Sequence, residues 1–225
     1  MTPTQPATRR GTVIELEDAA IGRGLSAAVP ALTLAVTPGA PTVIAVETDE
    51  RPMLVSMLLG GRLRPDTGRV LVNGLNDLDT LRLRTALVDT PVVSEPTAGV
   101  SLAAVIAEEL SFSGAPSSRR AVKAFLASHG LAEYASIPMR TLPTADRIRL
   151  FCELALLRRG VDSLVITSPE RHGGDSRGWY PGVAAIAERG ITVAIVTDAA
   201  TASTLVALGA RDSLDSLDPA SVPES

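Results

Sequence analysis

Residues 39–74 read GAPTVIAVETDERPMLVSMLLGGRLRPDTGRVLVNG. Thr42–Val46 is a short apolar run rich in β-branched residues and reads as a strand. Pro52–Leu59 reads as a helix; proline is tolerated in a first turn, where its missing N–H would have had no helical partner. Arg69–Val72 reads as a further strand, closed by the turn pair Asn73-Gly74. Strand, turn, helix and strand in this order open an α/β fold.

The flanking sequence extends the pattern. Val13–Leu16 and Leu32–Val36 read as strands ahead of it. Ser163–Thr167 and Ile191–Val196 are near-continuous apolar runs, as expected of strands buried on both faces of a parallel sheet. Ser101–Leu110, Ser118–His129, Ala145–Arg158, Val183–Arg189 and Ala200–Leu208 read as helices. Gly130 and Gly190 each stand just past a last helical turn, with basic side chains near the negative helix end. The segment 102–158 is helical throughout, an insertion into the α/β core. A single domain is expected over 11–217. The ends 1–10 and 218–225 are rich in Pro, Ser and Thr, carry little to bury and are expected to be disordered.

Composition narrows the function. Of 225 residues 45% are hydrophobic and 20% charged, enough for a packed core. Aromatics are 3% and net charge is −4, so neither stacking platforms nor a basic field points to nucleic acid. Cys152 stands alone, which excludes internal disulfides and cysteine-cluster metal sites. No apolar run is long enough to cross a bilayer and 1–10 lacks a signal-peptide core, so a cytoplasmic protein is expected, peripheral at most to the inner face of the membrane.

The passage Leu63-Arg64-Pro65-Asp66-Thr67-Gly68-Arg69-Val70 with Asn73-Gly74, preceded by Leu58-Leu59-Gly60-Gly61, resembles the first half of an ABC-transporter ATPase domain at the family's spacing. Leu142–Leu157, Asp162–Ile166, Pro169 and Ile191–Thr197 follow the layout of its second half, with Arg149 on the arginine expected in the signature helix. The resemblance covers Thr12 to Leu217. It implies a P-loop NTPase-like core with a mostly parallel sheet, antiparallel N-terminal strands and a helical subdomain at about 102–158. ABC domains work in pairs and dock a membrane partner on that subdomain.

The positions to which the family gives chemistry are altered. In register, Val46 and Arg51 fall on the glycines of the phosphate loop G-x-x-x-x-G-K-[ST], Pro52 on its lysine and Met53 on its hydroxyl residue. Such a loop wraps phosphates in backbone N–H groups and neutralises them with lysine, whereas proline has no N–H to give. Glu47, Asp49 and Glu50 put three carboxylates where a polyanion would lie. They are read as acids at a positive helix end; the other reading is a cation site. The only lysine, Lys123, lies mid-helix and is read as an exposed residue. Thr167 and Ser168 stand in place of the metal-binding and catalytic acids, with Glu170 two residues beyond the catalytic position. The signature Leu-Ser-Gly-Gly-Gln becomes Leu142-Pro143-Thr144-Ala145-Asp146, with Thr144 expected as helix N-cap. Asp198 replaces the switch histidine, and the only glutamine is Gln5.

Other chemistry is poorly supported. Ser168, His172 and Asp175 have triad residue types, but they lie in one short loop without a nucleophile elbow and read as a polar loop at the surface. His129 and His172 are too few for zinc. His129 is expected at a helix C-terminus and Cys152 in the core. Trp179 and Tyr180 are read either as protein-interface anchors or as aromatics folded onto the core. The expectation is therefore a pseudo-ATPase that uses no cofactor or metal. It would regulate or scaffold a membrane-protein partner docked on 102–158 and act as a homo- or heterodimer. A working ATP-binding subunit with divergent motifs (Glu170 replacing the lost acid) and a soluble interaction domain are the alternatives.

Overall fold

A computed structural model describes residues 11–47 and 50–214. The expected loose ends, Gln5, the domain limit at 217 and Asp49 lie outside the described residues. The elements in order are β1 (Ile14–Ile21), β2 (Val29–Val36), β3 (Thr42–Ala45), α1 (Arg51–Leu59), β4 (Thr67–Val72), α2 (Leu78–Arg84) and β5 (Thr85–Val88). There follow α3 (Leu102–Phe112), α4 (Arg119–Ser128), α5 (Thr144–Leu156), β6 (Ser163–Thr167), α6 (Ser176–Glu188), β7 (Thr192–Thr197), α7 (Ala199–Ala207) and β8 (Arg211–Asp212).

The strands form two sheets. β2-β1-β4 is antiparallel, and β5-β6-β7-β3-β8 is parallel. Period-two alternation explains the apolar runs: β3, β5, β6 and β7 each face a core on both sides. Val43, Val88, Leu164, Ile166, Val193 and Ile195 face a cluster built with the helices α3–α7. Ile44, Leu87, Val165, Ala194 and Val196 face a second cluster formed with α1 and the antiparallel sheet. The first cluster runs without a break from the sheet into α3 and α4 through Ile106, Leu126 and Met139.

Several boundaries depart from the sequence reading, for local reasons. α2 passes directly into β5, since its C-cap Thr85 is also the first strand residue; no glycine or proline marks the change. β8 has only two residues, too few for periodicity. α6 starts at Ser176, not Val183, and carries Pro181 inside it. Trp179, Val183, Ile186 and Ala187 fall on one buried stripe, and that burial outweighs the proline's lost hydrogen bond. Of the two readings of Trp179 and Tyr180, the inward one holds: they are 3% and 4% exposed and form no surface anchor. Thr144 is not an N-cap. Pro143 holds that place without a side-chain bond, and Thr144 is the first helical residue.

Gly130 and Gly190 have φ of 72° and 84°, in the left-handed region that ends α4 and α6. Lys123 is exposed on α4, and His129 is the C-cap of that helix, its Nδ1 2.8 Å from the carbonyl of Phe125. Cys152 is wholly buried on α5, and that burial pushes its thiol well above the usual range. Iodoacetamide is accordingly expected to leave native Cys152 unmodified and to label it after denaturation, as read by mass spectrometry. Labelling of the native protein at the rate of a free thiol would contradict this packing.

Candidate functional site

In a parallel sheet, ligands bind beyond the carboxyl ends of the strands. Here those ends are Ala45, Val88, Thr167 and Thr197. The chain's own side chains cross-link them. The Thr167 hydroxyl donates to Ser56 Oγ of α1 at 2.7 Å and lies 2.7 Å from the Thr90 hydroxyl beyond β5. All three residues are fully buried. The Thr197 hydroxyl donates to Glu170 Oε2 at 2.6 Å, fastening β7 to the turn after β6.

An ionic cluster lies beside these hydroxyls. Arg147 on α5 grips Asp89 in a two-pronged contact, Nε to Oδ2 at 2.6 Å and Nη2 to Oδ1 at 2.7 Å. His172 Nε2 lies 2.7 Å from Asp89 Oδ2. Arg171 donates to the carbonyls of Thr167 (2.6 Å), Ser168 (3.3 Å) and Asp89. It also approaches Asp89 Oδ1 at 3.3 Å and Glu95 at 3.4 Å. Burial pushes the Asp89 carboxyl up, but the hydrogen bonds from Arg147 and His172 and the charges of Arg147 and Arg171 outweigh it. The carboxyl is held well below the usual range. Asp89 and Ser168 both have positive φ, 55° and 44°, at the ends of adjacent strands; the Arg171 fork spans their carbonyls.

Asp89, Glu95 and His172 bring potential ligand atoms within 4.8 Å of one another. Two guanidinium groups already hold these carboxylates, so a divalent cation would meet both positive charges. The cluster is a charge-balanced lock, not a metal cradle. Nothing in the spacing of Asp89, Arg147 and His172 betrays it, since their proximity comes from three separate elements. His172 therefore belongs to a partly buried ionic cluster, not to a surface loop. Asp175 caps α6 by accepting from Arg177 N–H, so no Ser168–His172–Asp175 triad forms.

The remaining positions singled out in the sequence are spread along the same edge. Val46 is buried, its N–H donating to Thr197 carbonyl at 2.9 Å. Glu50 is the N-cap of α1 without a side-chain cap bond, and Pro52 lies in the first turn as expected. Arg51 Nε donates to the Ala28 carbonyl, and Met53 is half-buried. Glu47 and Glu50 are exposed. At the start of α5, the Thr144 hydroxyl reaches the carbonyls of His172 and Gly173 at 3.0 and 2.8 Å, while Asp146 pairs with Arg149. Leu142 is buried and Ala145 exposed. Asp198 is the N-cap of α7; partial burial raises its carboxyl, but hydrogen bonds from Thr201 and neighbouring N–H groups bring it below the ordinary value.

No protein-family model and no curated protein matches the chain. Solved structures do. An ABC transporter ATP-binding protein from Pyrococcus furiosus aligns over 83% of this chain and 91% of its own, with TM-score 0.60 and 14% identity. The cbiO1 component of the cbiONQ ABC transporter complex of Clostridium perfringens aligns over 82% and 78%, with TM-score 0.58 and 19% identity. The chain has the fold of an ABC transporter ATP-binding domain. A nucleotide-free ATP-binding cassette from another ABC transporter gives TM-score 0.60 over 84% and 82%, at 14% identity. Within this ABC-type fold, the parallel sheet, the antiparallel β2-β1-β4 sheet and the helical stretch α3–α5 are as the sequence implies. Among the described residues no helix is long and apolar enough to cross a membrane.

Proposed function

We propose that this chain is a pseudo-ATPase, an ABC-type fold that regulates or scaffolds a membrane-protein partner instead of turning over nucleotide. The observation behind this reading is the self-filled strand edge. The position of the metal-binding acid is Thr167, whose hydroxyl is engaged with Ser56 and Thr90 and whose carbonyl holds the Arg171 cation. Mg²⁺ fits poorly beside a fixed guanidinium. The turn of the phosphate loop brings Arg51, Pro52 and two exposed acids, and Pro52 has no N–H for a phosphate oxygen. Of the residues that open the signature helix, Pro143 likewise has no N–H, and the Thr144 hydroxyl is committed to this chain's own loop at 172–173.

Several apolar side chains are exposed between β5 and the end of α3. The segment 91–100 between β5 and α3 exposes Val92 (95%), Val93 and Val100, and Phe112 at the end of α3 is 70% exposed. Val92 has φ of 65°, strained for a β-branched side chain. We take this stretch as the place where a partner would dock.

The second reading, a working ATP-binding subunit, draws on Glu170. Its carboxylate is half-buried at the strand edge, 2.6 Å from the Thr197 hydroxyl. Phosphate-release assays with purified protein and Mg-ATP separate the two. No turnover above the buffer rate is expected. Turnover abolished by Glu170→Gln would establish the second reading and end the first. Co-purification with an integral membrane protein is the result expected of a scaffold, and its absence would favour a soluble interaction domain.

A further inference from the structure

At the opposite end of α1 from the phosphate-loop turn, the residues after the helix and those entering α2 enclose an open, polar cavity of about 440 Å³. Arg62, Arg64 and Arg82 line it together with Asn76, Asp77 and Asp79. Both acids are already engaged. Asp77 caps α2, accepting from the N–H groups of Asp79 and Thr80 and from the Thr80 hydroxyl. Asp79 pairs with Arg82 at 3.4 Å. Among the described residues, neither Arg62 nor Arg64 has a carboxylate partner.

The guanidinium groups are held from behind. Arg62 donates to the Gly60 carbonyl at 2.5 Å, and Arg82 to the Gly61 carbonyl at 3.2 and 3.3 Å. These carbonyls lie at the negative end of α1, which steadies the two cations. Nε and Nη2 of Arg62 and the whole fork of Arg64 keep donors with no protein acceptor among the described residues. Burial, and then the nearby charges of Arg158 and Arg82, pull the Arg62 guanidinium below its ordinary value.

We propose that this cavity binds a phosphate-bearing anion, with Arg62 and Arg64 gripping the phosphate oxygens and Arg82, paired with Asp79, lining the wall behind them. Guanidinium forks match phosphate oxygens in geometry as well as charge. The volume exceeds one phosphate, so the remainder of the ligand would extend toward solvent. A free anion and a lipid headgroup share this chemistry. The site shares no residue with the strand edge, so it stands or falls independently of the pseudo-ATPase reading.

Isothermal titration of the full chain with inorganic pyrophosphate at constant ionic strength tests the free-anion source. Co-sedimentation with phosphatidylcholine vesicles, with and without phosphatidic acid, tests the headgroup. Saturable binding is expected in at least one arm, and the responding arm identifies the source. Arg62→Gln and Arg64→Gln should each weaken it about tenfold or more, the loss expected when a charge-assisted phosphate contact is removed. Arg64 is exposed and makes no internal bond, so its variant decides the matter if Arg62→Gln fails to fold. No saturable binding in either arm, or binding that Arg64→Gln leaves within about twofold, overturns the proposal. A Mg-ATP melting shift lost in Arg64→Gln belongs to this cavity, whereas one that survives counts against the pseudo-ATPase reading.

Discussion

The substitution Asp89→Asn is expected to lower the free energy of unfolding by about 3–5 kcal/mol, the usual loss when a buried ion pair keeps one charge and loses the other. Asp89 and Arg147 expose only 3% and 4% of their side chains. The amide would keep the shape of the carboxylate and one acceptor oxygen but remove its charge, leaving the desolvated guanidinium of Arg147 with the Met139 carbonyl, the Phe151 ring and a 4.0 Å approach to Glu95 in support. For a chain of this length the change corresponds to a fall in Tm on the order of 10 °C. Urea melts of the two proteins measure it. A loss under about 1 kcal/mol would mean that water, not Asp89, solvates Arg147.

The same pair sets an acid limit. Asp89 titrates lower in the folded chain than unfolded, so its contribution is complete above the unfolded-chain value, near pH 4, and is lost as pH falls toward the folded value. The part of the stability gap between wild type and Asp89→Asn that comes from the carboxylate should therefore narrow steadily as pH falls below about 4. A gap that persists unchanged in acid would show that the carboxylate is not the stabilising form.

How far this molecule can be read without coordinates depends on the range of the interaction concerned. β6 is legible because five consecutive residues, Ser163–Thr167, are all buried, and a doubly covered strand needs such a run. The Gly130 and Gly190 helix ends are legible because a left-handed backbone asks for glycine locally. β5 is hidden because Thr85 ends a helix and starts a strand without punctuation. The lock on Asp89 is hidden more deeply. Arg147 lies 58 positions away and His172 lies 83 away, and each alone is an ordinary polar residue. Thr144 shows the same limit: a threonine at a helix start suggests a cap, but its hydroxyl turns to carbonyls 28 and 29 residues further on. Tertiary partners decided these side chains, and local chemistry gave no sign of them.

Gly68→Ala is the second large effect, expected to cost roughly 3 kcal/mol or more. A Cβ there would stand 2.2 Å from the Asp18 carbonyl oxygen and 2.3 Å from that of Glu17, both backbone atoms, and φ is already +72°. The close approach exists because β1 bulges where it pairs with β4, between Glu17 and Ala20, with Asp18 itself at φ of 48°. Asp66 secures the same corner: its Oδ2 accepts from Gly22 N–H at 2.7 Å, and its own N–H donates to Ala20 carbonyl at 2.8 Å. The Pro65-Asp66-Thr67-Gly68 passage thus has a full set of structural duties that involve no nucleotide. Asp66 and Gly68 build the β1–β4 corner, and this architectural duty holds under either reading of the strand edge. Thermal melting is the check. If Gly68→Ala melts within about 2 °C of wild type, the close approach of Gly68 to the β1 bulge is not what fixes this corner.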